Sequence, residues 1–220
     1  MNNYSSLEKC PLFAGISHED LKTVIDCLNA KKAKYSKGEY IFEAGQKIND
    51  IGIVLSGSVN VVQDDFWGNR TILADIREGG LFGEAFACAE IDEVNVSVVC
   101  KERTEILKVD YSKVSKTCSS TCIYHSKMIT NMLNILANKN VMLTKKIEHI
   151  TKRSTREKLL SFLSDQAKQK HSSSFKIQFD RQGLADYLAV DRSAMSNELS
   201  KLKDEGLIDY RKNAFELFDI

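Results

Sequence analysis

Glycine divides this chain into two kinds of material. Eight of the eleven glycines fall between Gly38 and Gly83; none lies between Gly83 and Gly183, and the one proline is Pro11. The glycine-punctuated part carries short runs rich in β-branched residues, GEYIFEAG, DIGIVLSGSVNVV, RTILADI, NVSVVC and TEILKV, ending near Val109. No segment long enough for a crossover helix separates them. They predict an antiparallel barrel or jelly roll. The glycine-free part permits a long helix. Residues 1–30 predict a short helical lead in which Ser17 caps a helix with Asp20 three residues on, and Leu21, Val24, Ile25 and Leu28 form its apolar stripe.

From Ile129 the residues Ile129, Leu133, Leu136, Asn140, Leu143, Ile147 and Ile150 recur at spacings of four and three. That is a heptad seam on a helix from about Thr121 to Ile150, roughly 45 Å long at ~1.5 Å per residue. Its simplest partner is its own copy. Asn140, at an a position, pairs with its twin in a parallel dimer and fixes the register. A flanking stripe of Met128, Met132, Ile135 and Met142 is expected to pack on the roll, and both arrangements can hold together. The seam ends at Thr151. Ser154 with Glu157 then forms a capping box for a helix anchored by Leu159, Phe162 and Leu163.

Further on, Arg181 to Leu188 puts Leu184 and Leu188 on one face, with Ala185 small enough for close approach of a second helix. After the turn Ala189 to Asp191, Asp191 caps a helix from Arg192 that stops at Gly206. Met195, Leu199 and Leu202 face inward there, which leaves Arg192, Ser193, Ser196, Asn197 and Lys201 outward. A helix with a free polar N-terminal face suits the DNA major groove, where Arg pairs with guanine and Asn with adenine. Gln182, Ser200 and Lys201 are placed for phosphates, which fix register without reading sequence. The segment LIDYRKNAFELF supplies two short strands and a turn, a wing. Ala189 stands where a glycine is frequent; a positive φ there costs ~1 kcal/mol.

On these residues the chain resembles the CRP/FNR (catabolite-activator) family of bacterial transcription regulators. The resemblance runs through nearly the whole chain and implies an α+β protein. Its parts are a jelly-roll (cyclic-nucleotide-binding-like) effector-sensing domain over residues 1–120, a dimerisation helix and hinge over 121–153, and a winged helix-turn-helix DNA-binding domain over 154–220. The family's base-reading positions fall on Arg192, Ser193 and Asn197; the family's common Glu and second Arg are replaced by Ser193 and Asn197. The stretch GGLFGEAFACAEIDEVNVSVV resembles the family's phosphate-binding cassette, in which an Arg and a hydroxyl residue follow a Gly-Glu pair by about ten positions. Counted from Gly83 and Glu84, those positions hold Val94 and Asn95. A slip of two offers Ser97 but no Arg, so the effector is expected not to be a cyclic nucleotide. Phe82, Gly83, Glu84, Phe86 and Cys88 are candidates to line a pocket for another small effector. RNA polymerase is the protein partner that the resemblance implies.

Composition narrows the alternatives. The net charge of +1 means that any nucleic-acid field is local, and Lys145, Lys146, Lys152, Arg153, Arg156 and Lys158 are a candidate source. Metal-dependent barrel enzymes need clustered histidines, but His18, His125, His149 and His171 all lie outside the runs of the roll, so no metal and no enzyme activity is expected. Six cysteines without a signal-like N-terminus read as reduced thiols in a cytoplasmic protein, and no apolar run is long enough for a membrane span. Cys118 and Cys122 stand at i, i+4. The alternative they raise is a thiol-based redox-responsive regulator on the same scaffold; an iron–sulfur cluster lacks the needed spacing. No cofactor is assigned.

Overall fold

The computed structural model describes residues 5–115 and 123–218. Cys118, Cys122 and the expected helix start at Thr121 lie outside them. Two compact units divide the chain, Met1–Ala137 and Asn138–Ile220.

In the first unit, α1 (Ser5–Glu8), a 3-10 turn (Pro11–Phe13) and α2 (His18–Cys27) precede the strands. The Ser17 hydroxyl accepts the Asp20 N–H, the cap that the sequence predicts. The strands are β1 (Lys31–Tyr35), β2 (Tyr40–Phe42), β3 (Asp50–Ser56), β4 (Ser58–Asp64), β5 (Arg70–Arg77) and β6 (Leu81–Phe82). After α3 (Glu84–Cys88) come β7 (Ser97–Cys100), β8 (Thr104–Asp110) and α4 (Tyr111–Ser115). They form two antiparallel four-stranded sheets, ordered β1-β8-β3-β6 and β2-β7-β4-β5. This is the expected roll, with Phe42, Val54, Val59, Phe82, Val98 and Ile106 among the residues of its interior. Phe42 meets Phe82 edge to face at 5.7 Å between centroids.

Strand β3 is apolar from Ile51 to Leu55 because both of its faces are covered there. Val54 points into the roll, while Ile51 and Ile53 join a second core with Leu12, Phe13, Leu21 and Val24 of the helical lead. Gly52 is required between them, since a Cβ there would overlap the Phe82 ring. Strand β1, with Lys31, Lys32 and Lys34, is not among the strand runs expected from the sequence. It is an edge strand, paired with β8 alone, where lysines deter further strand addition.

Helix α5 (Ile123–Ile150) crosses the boundary between the units. Its Met128, Met132 and Ile135 are buried in the core with the helical lead. Met142 does not continue that stripe as expected; it is 67% exposed, in the part of the helix that follows Ala137, where the first unit ends. The second unit continues with α6 (Thr155–Lys170), β9 (Ser174–Lys176), α7 (Arg181–Leu188), α8 (Arg192–Asp204), β10 (Ile208–Arg211) and β11 (Ala214–Leu217). The Ser154–Glu157 capping box is complete on α6. The wing gains β9 as a third strand, in the order β10-β11-β9. Leu159, Phe162, Leu163, Leu184, Met195 and Leu199 are central to this unit's core. Among the described residues no helix is long and apolar enough to cross a membrane.

Candidate nucleic-acid interface

Two capped helices build the candidate reader. Asp180 caps α7 by accepting the Gly183 N–H, and Asp191 caps α8 by accepting the Ala194 N–H at 2.9 Å. That N–H bond, together with the Ser193 hydroxyl donating to the same carboxylate at 2.7 Å, holds the Asp191 pKa below its ordinary value. Between the helices Ala189 adopts φ 50°, ψ 59°, the left-handed conformation that a tight turn demands. The Lys158 ammonium donates to the carbonyls of Leu188 and Ala189 at 3.4 and 3.3 Å, closing the C-terminus of α7. Gly206, with φ +74°, terminates α8: the Leu207 N–H returns to the Leu202 carbonyl.

Leu184, Leu188, Met195, Leu199 and Leu202 are fully buried, which turns Arg192, Ser193 and Asn197 outward together. The Arg192 guanidinium has no ion-pair partner among the described residues, so its donors are free for a base edge. Of the expected phosphate contacts, Gln182 is exposed and donates to Asp186, Ser200 donates to the Ser196 carbonyl, and Lys201 lies 3.7 Å from Glu198 on the next turn. The wing adds groups that the sequence reading did not single out. A cleft of about 540 Å³ has Gln182 and Arg192 on one side and Lys212 and Asn213 of the wing turn on the other. Lys212 is exposed at φ 56°. The signal was present in Arg211-Lys212-Asn213 as a basic turn between two short strands, but only the fold brings it beside Arg192.

Other cations are structural. Arg181 lies over the rings of Tyr210 and Phe215 at 4.7 and 5.3 Å, and burial lowers its pKa. Within the expected basic cluster, Lys145 pairs with Asp165 at 2.9 Å, Lys146 sits over the Tyr187 ring, and Arg156 bridges Glu198 and Glu205. With Lys158 occupied by the two carbonyls, only Lys152 and Arg153 of the six are fully exposed. The cluster chiefly staples the second unit together.

Comparison with known proteins agrees with this geometry. The family model for the cyclic nucleotide-binding domain matches residues 32–121, and that for the Crp-like helix-turn-helix domain matches residues 157–220. The chain belongs to the CRP/FNR family of transcription regulators. A curated relative, the CRP-like protein Clp of Xanthomonas euvesicatoria pv. vesicatoria, is 20% identical over 201 residues, which are 86% of this chain and 85% of the relative. Solved structures similar to this CRP/FNR-family chain include the catabolite activator protein of Thermus thermophilus (TM-score 0.51, 23% identity, 94% and 93% of the two chains). A CooA mutant from Carboxydothermus hydrogenoformans gives 0.62 at 19% identity over 96% and 92%. The c-di-GMP-responsive global regulator CLP of Xanthomonas campestris gives 0.58 at 18% over 90% and 100%. At these identities the likeness is one of fold.

The segment that resembles the family's effector cassette is built around α3 and the strand that follows it. Gly83 takes φ +83° as the N-cap of α3, where a Cβ would crowd the Asp50 carbonyl and the Phe42 ring. Val94, at the family's arginine position, is 2% exposed and packed in the roll interior. Ser97 accepts the Ala44 N–H at 3.0 Å. The five candidate pocket residues divide: Phe82 and Phe86 pack with the roll interior, whereas Cys88 packs with the core under the helical lead. Glu84 is buried, and its charge helps raise the Cys88 pKa. On α5 the seam positions Leu133, Leu143 and Ile147 are about 60% exposed, at 63%, 60% and 57%. Asn140 is exposed and accepts from Thr144, and Ile129, Leu136 and Ile150 are half-buried.

Proposed function

We propose that this regulator acts as a parallel homodimer that binds an inverted-repeat operator, under the control of an effector other than a cyclic nucleotide. The observation that carries the proposal is the outward cluster of Arg192, Ser193 and Asn197 with Lys212 across the cleft: an unengaged fork donor, an amide and a phosphate-seeking cation at one helix N-terminus. The exposed seam supports pairing, because three large aliphatic side chains in register on one helix need cover. Two parallel copies place two recognition helices about one turn of DNA apart, ~34 Å. RNA polymerase is the protein partner of such a role.

Valine at the arginine position argues against a cyclic phosphate, which needs a forked cation to neutralise it. Cys10, Cys88 and Cys100 lend a thiol switch no support: burial pushes Cys10 up to about 11 and raises the other two, which favours the protonated thiol over the reactive thiolate, whereas Cys27 is exposed.

Selection from a random-sequence duplex library by the purified protein tests the proposal, with no nucleotide, with cyclic AMP and with c-di-GMP, the last because CLP responds to it. Enrichment of an inverted repeat that needs none of them is expected. Enrichment only with cyclic AMP refutes the effector assignment, and enrichment of single half-sites refutes the dimer.

A further inference from the structure

Beside the seam lies a cavity of about 210 Å³ that none of the roles above uses. One wall is the first half of α5, contributing Ile129, Met132, Leu133 and Leu136 at i, i+3, i+4 and i+7. The opposite wall belongs to the roll's accessory helices, with Cys88 at the end of α3 and Tyr111, Val114 and Ser115 of α4. Five of these eight side chains are aliphatic or thioether, and no charged side chain lines the space among the described residues. Its polar groups, those of Cys88, Tyr111 and Ser115, all lie on the wall opposite α5. Burial holds both the Cys88 thiol and the Tyr111 phenol in their neutral forms by raising their pKa values.

Size and lining define what fits. An apolar protein cavity of about 150 Å³ is enough to hold benzene and stays dry without it. The larger space here suits one or two fused rings with a single hydrogen-bonding group turned toward Tyr111. Among the described residues no cation lines the space, so nothing there would neutralise an anion. Ile129, Leu133 and Leu136 are members of the proposed dimer seam, so an occupant touches the residues whose placement sets how two helices meet.

We infer that this cavity between α4 and the first half of α5 is a binding site for a small, neutral, mainly apolar ring compound carrying one hydrogen-bonding group. It deepens the effector part of the function proposed above, on whose dimer seam it rests. Isothermal calorimetry on the full-length protein tests it with indole, p-cresol and benzyl alcohol as probes. At least one probe is expected to bind saturably with a dissociation constant of about 0.1 to 1 mM, the range for ligands of eight or nine heavy atoms. Ser115→Trp fills the mouth from an exposed position, and Cys88→Leu fills the inner wall; neither position is itself a seam residue. Each is expected to weaken the bound probe at least ~tenfold while leaving the thermal unfolding profile in place. Unchanged affinity in both variants, or no saturable binding of any probe to the unmodified protein, overturns the assignment. The titration contains no DNA, so its failure is separate from a failure to enrich an inverted repeat.

Discussion

Replacing Leu143 with Ala separates the dimer seam from mere surface hydrophobicity. Leu143 is 60% exposed in one chain, and Met142 beside it is 67% exposed. Heptad spacing puts Leu143 at d, facing a partner helix, and Met142 at c, facing away. Leu→Ala removes about three carbons, worth ~0.8 kcal/mol each when fully buried. Scaled to the three-fifths of the residue that pairing has left to cover, the loss is ~1.4 kcal/mol per chain, or ~3 kcal/mol for the two copies in a dimer. At ~1.4 kcal/mol per tenfold, the dimer dissociation constant rises about 100-fold. Met142→Ala removes a similar area that pairing does not cover, so it shifts the constant less than ~threefold. Sedimentation equilibrium over a concentration series reads both. Equal shifts from the two variants, or no shift from Leu143→Ala, refute the seam.

Arg192→Ala is expected to cost ~1–3 kcal/mol on the selected operator and to relax base preference, whereas Lys201→Ala weakens all duplexes about equally; fluorescence anisotropy on specific and random DNA distinguishes them, and equal losses for Arg192→Ala remove its base-reading role. Ala189→Gly relieves the left-handed turn at φ 50° and is expected to stabilise the second unit by ~0.5–1 kcal/mol in urea unfolding, since the backbone strain released exceeds the added freedom of the unfolded chain. His149 is buried, with Nδ1 2.9 Å from the Ser161 hydroxyl and its ring against Phe162; burial lowers its pKa from 6.5, outweighing the opposing pull of Asp165. Its packing is therefore at full strength above pH 6.5 and weakens as pH falls through and below that value. Faster hydrogen exchange of α6 amides at pH 5.5 than at pH 7.5, after correction for intrinsic rates, is the expected result, and an equal change in His149→Gln contradicts it.

The helix-turn-helix was legible because its signals are local. Asp180 and Asp191 cap the helices they precede, Ser154 and Glu157 make their reciprocal box, and Met195, Leu199 and Leu202 are buried at the spacing that predicts it. Even the strain at Ala189 could be read from a non-glycine residue in a turn. What the sequence concealed depends on distant partners. Strand β1 is lysine-rich because it is an edge, a fact set by its pairing with β8 about seventy residues away. Lys212 faces Arg192 only once the wing folds back. Lys145 and Arg156, part of what resembles a DNA-binding field, prove to be engaged, because Asp165, Glu198 and Glu205 reach them across helices. Met142 shares the period of Met128, Met132 and Ile135 yet not their burial, since periodicity reports a face and not what covers it.

Helix α5 explains how one chain can join sensing to DNA reading. It contains no glycine or proline, so nothing in its sequence interrupts the backbone ladder between Met128 and His149. Its early residues are buried in the core of the first unit, and its last turns are tied to α6 through Lys145–Asp165 and His149–Ser161. Tightness of binding is not sufficient for an effector in the first unit: it changes DNA affinity only if it favours one arrangement of the paired helices over another. To move a two-state population from 1:99 to 99:1 that preference must reach about 10⁴-fold. A ligand held wholly inside the roll touches neither arrangement directly. One lying against Ile129, Leu133 and Leu136 contacts the seam itself, where a difference in helix pairing becomes a difference in contact. On the proposed reading, valine where the resemblance places an arginine removes one effector chemistry, and the apolar space beside α5 would offer another in contact with the proposed seam.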